Sequence, residues 1–151
     1  MSTLKKSKLI LKTVTILFPM FLGTCIVQPK PALAGNYIAT CNDAYESLIG
    51  TILRSRCTNK NGERVYSTIN LSDIIVNRNG NLSWSNSGGN FQSTCSSISL
   101  KTRTGGPNTL FRKRIAILSA HCGDGRGGYK NTSINLSDRI SNQNGVLAFD
   151  R

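Results

Sequence analysis

Ile69-Asn70-Leu71-Ser72-Asp73 and Ile134-Asn135-Leu136-Ser137-Asp138 are the same five letters, 65 residues apart. The offset holds well beyond them. It relates Cys57 to Cys122, Gly62 to Gly127, Ile75 to Ile140, Asn77 to Asn142, Asn79-Gly80 to Asn144-Gly145 and Leu82 to Leu147, and it sets Trp84 against Phe149. Upstream, Phe91-Gln92-Ser93-Thr94-Cys95 echoes Tyr37-Ile38-Ala39-Thr40-Cys41 at an offset of 54. The difference of 11 is an insertion in the second copy, between its two cysteines, around residues 101–114. Agreement at a fixed offset marks an internal duplication. It gives repeats at about 36–84 and 90–149, joined by Ser85-Asn86-Ser87-Gly88-Gly89, whose composition predicts a flexible joint.

Within each copy the local signals are β. Asn79-Gly80 and Asn144-Gly145 are type I′ hairpin signals, since both central residues of that turn need positive φ. Each is followed by alternation, Leu82 and Trp84 in one copy and Leu147 and Phe149 in the other. Ser72-Asp73-Ile74-Ile75 and Ser137-Asp138-Arg139-Ile140 start on a capping residue and have no length to run, so they predict single helical turns. Leu48, Ile52 and Leu53, with Ile115, Ile117 and Leu118, fall in strands ending at Cys57 and Cys122. Two copies of strand, strand, turn and hairpin predict an elongated all-β domain of antiparallel sheets with pseudo-twofold symmetry.

The chain has 151 residues and a net charge of +12, but its two ends differ. Residues 1–34 hold five lysines and no acidic residue. Lys5, Lys6, Lys8 and Lys12 precede an apolar run to Val27, and Ala32-Leu33-Ala34 is an A-x-A cleavage site. We expect a signal peptide over 1–34, a mature chain from Gly35, and a secreted or periplasmic product. The apolar run is short and interrupted for a membrane span, and Leu22-Gly23-Thr24-Cys25 is a poor lipoprotein box. The remaining 117 residues carry 14 basic and 7 acidic side chains, a balance that does not demand a polyanionic partner such as nucleic acid. Their length excludes a large cofactor-binding enzyme. Cys41, Cys57, Cys95 and Cys122 remain, an even number in a short exported chain, which reads as disulfides. Each repeat owns one pair, so Cys41–Cys57 and Cys95–Cys122 are the expected bridges. No C-x-x-C pair and no D-x-D-x-D-G loop occurs, so no metal or cofactor is expected.

The tandem repeat, one cysteine pair per repeat, the I-N-L-S-D turn and the paired N-x-N-G hairpins resemble the cyanovirin-N family. The resemblance covers Gly35 to Arg151, the whole expected mature chain. It implies a non-enzymatic lectin for α-linked, high-mannose glycans, binding oligosaccharides or glycoproteins, with a sugar site at each end and each half built from both repeats. It also implies a monomer, or a dimer made by swapping halves. One site would use Asn77, Asn79, Asn90, Ser93, Thr94, Asp124 and Arg126. The other would use Asn36, Thr40, Thr58, Asn59, Lys60, Asn142 and Asn144. Those residue types suit a neutral polyol, because an amide offers donor and acceptor together and a hydroxyl does likewise.

Two other readings have weaker support. Ser119-Ala120-His121-Cys122 resembles the A-H-C of trypsin-like proteases, but Gly125 stands where their nucleophile would be. Lys101, Arg103, Arg112, Lys113 and Arg114, beside Leu110-Phe111, would suit a hairpin for acidic polysaccharide or another anionic surface. Mass spectrometry of the exported protein should find an N-terminus at Gly35, no lipid on Cys25 and the two intra-repeat bridges; a Cys41–Cys95 link would break the duplication argument.

Overall fold

The computed structural model describes residues 35–105 and 113–151, apart from the side chains of residues 42–45 and 105. The segment expected to be the signal peptide, Cys25 within it, and the tip of the insertion with Leu110, Phe111 and Arg112 lie outside them. Each repeat opens with a single 3₁₀ turn, Tyr37–Ala39 or Phe91–Ser93. An antiparallel three-stranded sheet follows: β1 (Cys41–Ile49), β2 (Ile52–Thr58) and β3 (Arg64–Asn70) in the first repeat. A second 3₁₀ turn, Leu71–Asp73, leads to the hairpin of β4 (Ile75–Arg78) and β5 (Asn81–Trp84). The second repeat gives β6 (Cys95–Gly105), β7 (Lys113–Gly123) and β8 (Tyr129–Asn135), the turn Leu136–Asp138, and the hairpin of β9 (Ile140–Gln143) and β10 (Val146–Phe149).

The duplicated pentapeptide is the exit from each sheet. Asn70 Oδ1 accepts the Ser72 N–H at 3.1 Å while Asn70 Nδ2 donates to Asp73 at 2.9 Å. Asn135 repeats this toward Ser137 and Asp138. The cap is therefore the asparagine, two residues before the serine that the sequence pattern suggests, because its amide reaches the turn's free N–H and its acid together. Leu71 and Leu136 are fully buried behind it. Asn79 and Gly80 have φ of 51° and 88°, and Asn144 and Gly145 have 56° and 92°, as a type I′ turn requires.

Three strands form in each sheet where the sequence pattern suggests two. The apolar alternation of β3 and β8 is broken because the central inward position of each carries a hydroxyl, between Val65 and Ile69 in β3 and before Ile134 in β8. Ser67 Oγ accepts the Leu147 N–H at 2.8 Å, and Thr132 Oγ1 accepts the Leu82 N–H at 3.1 Å. Each sheet is thus closed by the hairpin of the other repeat. Leu53, Leu71, Ile75 and Phe91 and their counterparts Leu118, Leu136, Ile140 and Tyr37 form one shared core. Trp84 and Phe149, equivalent in the duplication, stack with centroids 5.5 Å apart. The buried Tyr37 hydroxyl donates to Glu46; burial first, then the Glu46 charge, holds that phenol well above its ordinary titration range.

The joint between repeats is docked rather than free. Ser85 is buried and donates its N–H to Ile74, and Asn90 donates its N–H to Ile75. A side chain at Gly89 would start 2.1 Å from the Ile75 carbonyl, so the joint lies against the repeat it leaves. Gly35, its counterpart, donates its N–H to Asp150 at 2.6 Å. The described part of the insertion lengthens the β6–β7 hairpin, with Thr102–Gly105 pairing onto Lys113–Ala116. Arg114 of that extension donates to the Ile38 carbonyl at 2.8 Å.

Cys41–Cys57 and Cys95–Cys122 are bonded, each across a β-ladder between directly opposed residues. Closing loops of 16 and 27 residues contributes about 3 kcal/mol each in the chain-entropy model. A thiol reductant is expected to lower the melting temperature sharply while a chelator leaves it unchanged, as followed by circular dichroism.

Candidate functional site

Asn77 sits at the end of β4, and its side chain joins three segments. Its Oδ1 accepts the Gly80 N–H at 2.8 Å, closing the hairpin turn. Its Nδ2 donates to Thr94 Oγ1 at 3.0 Å and to the Gly123 carbonyl at 2.8 Å. One amide from the first repeat therefore fixes the 3₁₀ turn and the end of β7 in the second. Both of its amide protons are used in this, so Asn77 is a clamp before it is anything else.

The glycine-rich loop after β7 is ordered by Asp124. Its Oδ1 accepts N–H groups from Arg126 at 2.8 Å and Gly128 at 2.9 Å. Those two bonds hold the carboxyl below its ordinary range. Since the folded-state value is depressed, the loop's order is present above the usual carboxylate range and is lost as pH falls through the depressed value.

Between hairpin, turn and loop lies a cavity of about 470 Å³. Asn79, Ser93 and Thr94 supply polar groups, Gly123, Gly125, Gly127 and Gly128 supply backbone, and Tyr129 lines it too. Asn79 is exposed, and among the described residues its side-chain amide has no hydrogen-bond partner. The structure thus gathers Asn77, Asn79, Ser93 and Thr94. Asn90 lies outside the lining, its N–H on Ile75 and its carbonyl on Ser93 Oγ. Asp124 and Arg126 also lie outside the lining: Asp124 turns back onto its own loop, and the exposed Arg126 gives its backbone N–H to Asp124.

The counterpart cavity is about 250 Å³, lined by Gly35, Asn36, Ala39, Thr40 and Asn142. Asn142 is the equivalent clamp, accepting from Gly145 at 2.7 Å and donating to Thr40 Oγ1 at 2.9 Å and the Thr58 carbonyl at 2.8 Å. Asn59 orders its loop as Asp124 does, accepting from Asn61 and Glu63. The two sites part at the turn. Asn144 Oδ1 already accepts the Lys60 N–H at 2.8 Å, whereas Asn79 Oδ1 faces Gly125 without such a bond. Thr58, Asn59, Lys60 and Asn144 adjoin this smaller cavity without lining it.

Tyr129 belongs to no motif that the sequence singles out. It follows the glycine run, pairs with Gly123 across β7–β8 and is 66% exposed. An aromatic opposite a glycine was the available signal. His121 lies within β7 with its ring 5.3 Å from Tyr129, beside the Cys95–Cys122 bridge.

A CVNH domain family model matches residues 37–148. Among solved structures, the chain is similar to the CVNH protein of Gibberella zeae, with a TM-score of 0.65 and 32% identity over 78% of this chain and 99% of that one. A designed cyanovirin-N homolog lectin gives a TM-score of 0.61 and 31% identity over 76% and 99% of the two chains. Microvirin in complex with mannobiose gives 0.60 and 27% over 76% and 98%.

Asn77→Ala is expected to cost about 1–3 kcal/mol by leaving the Gly80 N–H and Gly123 carbonyl unpartnered. Asn79→Gly, which keeps the positive φ and removes an unengaged amide, should stay within about 0.5 kcal/mol of the parent in thermal denaturation.

Proposed function

The chain belongs to the CVNH family, and from that we propose that it is a lectin for neutral, α-linked mannose-type glycans, with the cavity beside Asn79 as its principal site. One observation carries this reading: an unengaged amide at Asn79 and the hydroxyls of Ser93 and Thr94 converge on an uncharged cavity with a loop already ordered. Few groups need to be immobilised on binding, and that preserves affinity. The mannobiose complex of microvirin supports the choice of sugar. The cavity beside Asn142 serves as a second, weaker site, being about half as large and having its turn amide engaged by Lys60. Two such sites act together on branched glycans by avidity. Both bridges persist in an oxidising compartment, which agrees with export.

A second reading, capture of acidic polysaccharide, draws on the outer face of β2–β3. There Arg54 lies 4.5 Å and Arg56 5.6 Å from the Tyr66 ring centre. Salt separates the two, since polyanion binding weakens steeply with ionic strength as counterions are released.

Calorimetric titration with mannobiose should show binding that high salt leaves unchanged. Asn79→Gly should lose about tenfold or more in affinity, the equivalent of about 1.4 kcal/mol, and Asn144→Gly should lose less. Loss of the soluble sugar in Asn144→Gly alone would reverse the ranking of the sites.

A further inference from the structure

We propose that the outer face of the β6–β7–β8 sheet is a contiguous subsite, taking the further sugar units of a neutral oligosaccharide whose end sits in the larger cavity, with Tyr129 carrying the chain across. This rests on the carbohydrate reading above.

The face follows from strand alternation. Ala116, Leu118, Ala120 and Cys122 of β7 point into the core, so Ser119 and His121 point outward. The register puts Ser99, Ser119 and Ser133 in one row across the three strands, and His121 beside Asn131 in the next. These residues, with Ser97, line a groove of about 480 Å³. Its walls are hydroxyl and amide groups with one imidazole, and among the described residues no acid or cationic chain lines it.

Tyr129 is the bridge. It lines the first cavity, and its ring rests 5.3 Å from His121, which lines the groove. A hexose presents a C–H face and a hydroxyl rim. An exposed ring takes the face, and flanking hydroxyls and amides take the rim. A chain leaving the cavity over Tyr129 therefore meets matched chemistry in sequence: amide, ring, hydroxyl row.

The duplicated face shows that this is not a general property of the fold. Ser119, His121, Tyr129, Asn131 and Ser133 correspond to Arg54, Arg56, Arg64, Tyr66 and Thr68. In the first repeat two guanidinium groups cover the ring of Tyr66. Only the second repeat keeps an uncharged face beside the larger cavity.

Calorimetry with mannobiose and with a linear mannotetraose tests the subsite on the mature chain. The parent should bind the tetraose at least about fivefold more tightly than the biose. Ser119→Tyr, which fills the groove from an outward strand position, should abolish that gain and leave mannobiose binding and melting temperature unchanged. Tyr129→Phe should keep the gain and Tyr129→Ala should lose it. A tetraose bound no more tightly than the biose, or a gain that survives Ser119→Tyr, overturns the subsite while leaving the lectin reading standing. Absence of any mannobiose binding overturns the lectin reading itself and the subsite with it.

Discussion

Two hydroxyls hold this fold together across its own duplication. Ser67 and Thr132 sit at inward positions of their strands and accept the N–H of the second residue in the opposite repeat's last strand. The leucines carrying those N–H groups, Leu147 and Leu82, are buried in the same step. Buried backbone donors need partners, and here the partner always comes from the other repeat. Neither three-stranded sheet has a complete inner face without the foreign hairpin, so the core is single even though the sequence is double. Both cavities inherit this arrangement. Asn77 ties its hairpin to Thr94 and Gly123, and Asn142 ties its own to Thr40 and Thr58. Each cavity is a seam between repeats, with walls as rigid as the exchange that forms them.

On that common frame the copies have diverged by small substitutions with large local effects. At the first hairpin the loop opposite the turn is Gly125, and the turn amide stays unengaged. At the last hairpin it is Lys60, whose N–H engages Asn144. After the loops, Tyr129 in one copy corresponds to Arg64 in the other. The first sheet's outer face carries Arg54 and Arg56 over Tyr66, while the second keeps its serine row beside the cavity and turns cationic only farther along β6, at Lys101 and Arg103. A duplication that must keep its exchanged hairpins can still vary its outward residues, because strand alternation isolates one face from the other.

The sequence was most legible where the backbone geometry is demanding. Asn-Gly pairs reported type I′ turns, and the cysteines, one pair per repeat, reported their own pairing. Legibility failed where polar residues do structural tasks that resemble binding. β3 and β8 escaped notice because Ser67 and Thr132 replace apolar residues on their inner face. Serine caps helices well, so the pattern points to Ser72 as the turn's cap, yet Asn70 can reach two groups at once. Ser85 to Gly89 has the composition of a loose linker and is held by hydrogen bonds that composition does not encode. In the site the same confusion applies to Asp124 and Asn59, which order their own loops, and to Asn77 and Asn142, whose amide protons are already committed. Tyr129 carries no signal in the sequence because an aromatic at a strand's start is commonplace until its partner is known to be glycine.

The exchanged hairpins also set an order of assembly. The Leu147–Ser67 bond closes 80 residues of chain and the Leu82–Thr132 bond closes 50. Loops of that length make the rate-limiting contacts non-local, and non-local β pairing is slow. During synthesis the first sheet has strands and its own disulfide partners long before it has a lid. Its inner face stays open until Val146–Phe149 arrive. Neither repeat is thus a folding unit. A chain truncated within its final strand would lose the lid of the first sheet, the part made earliest.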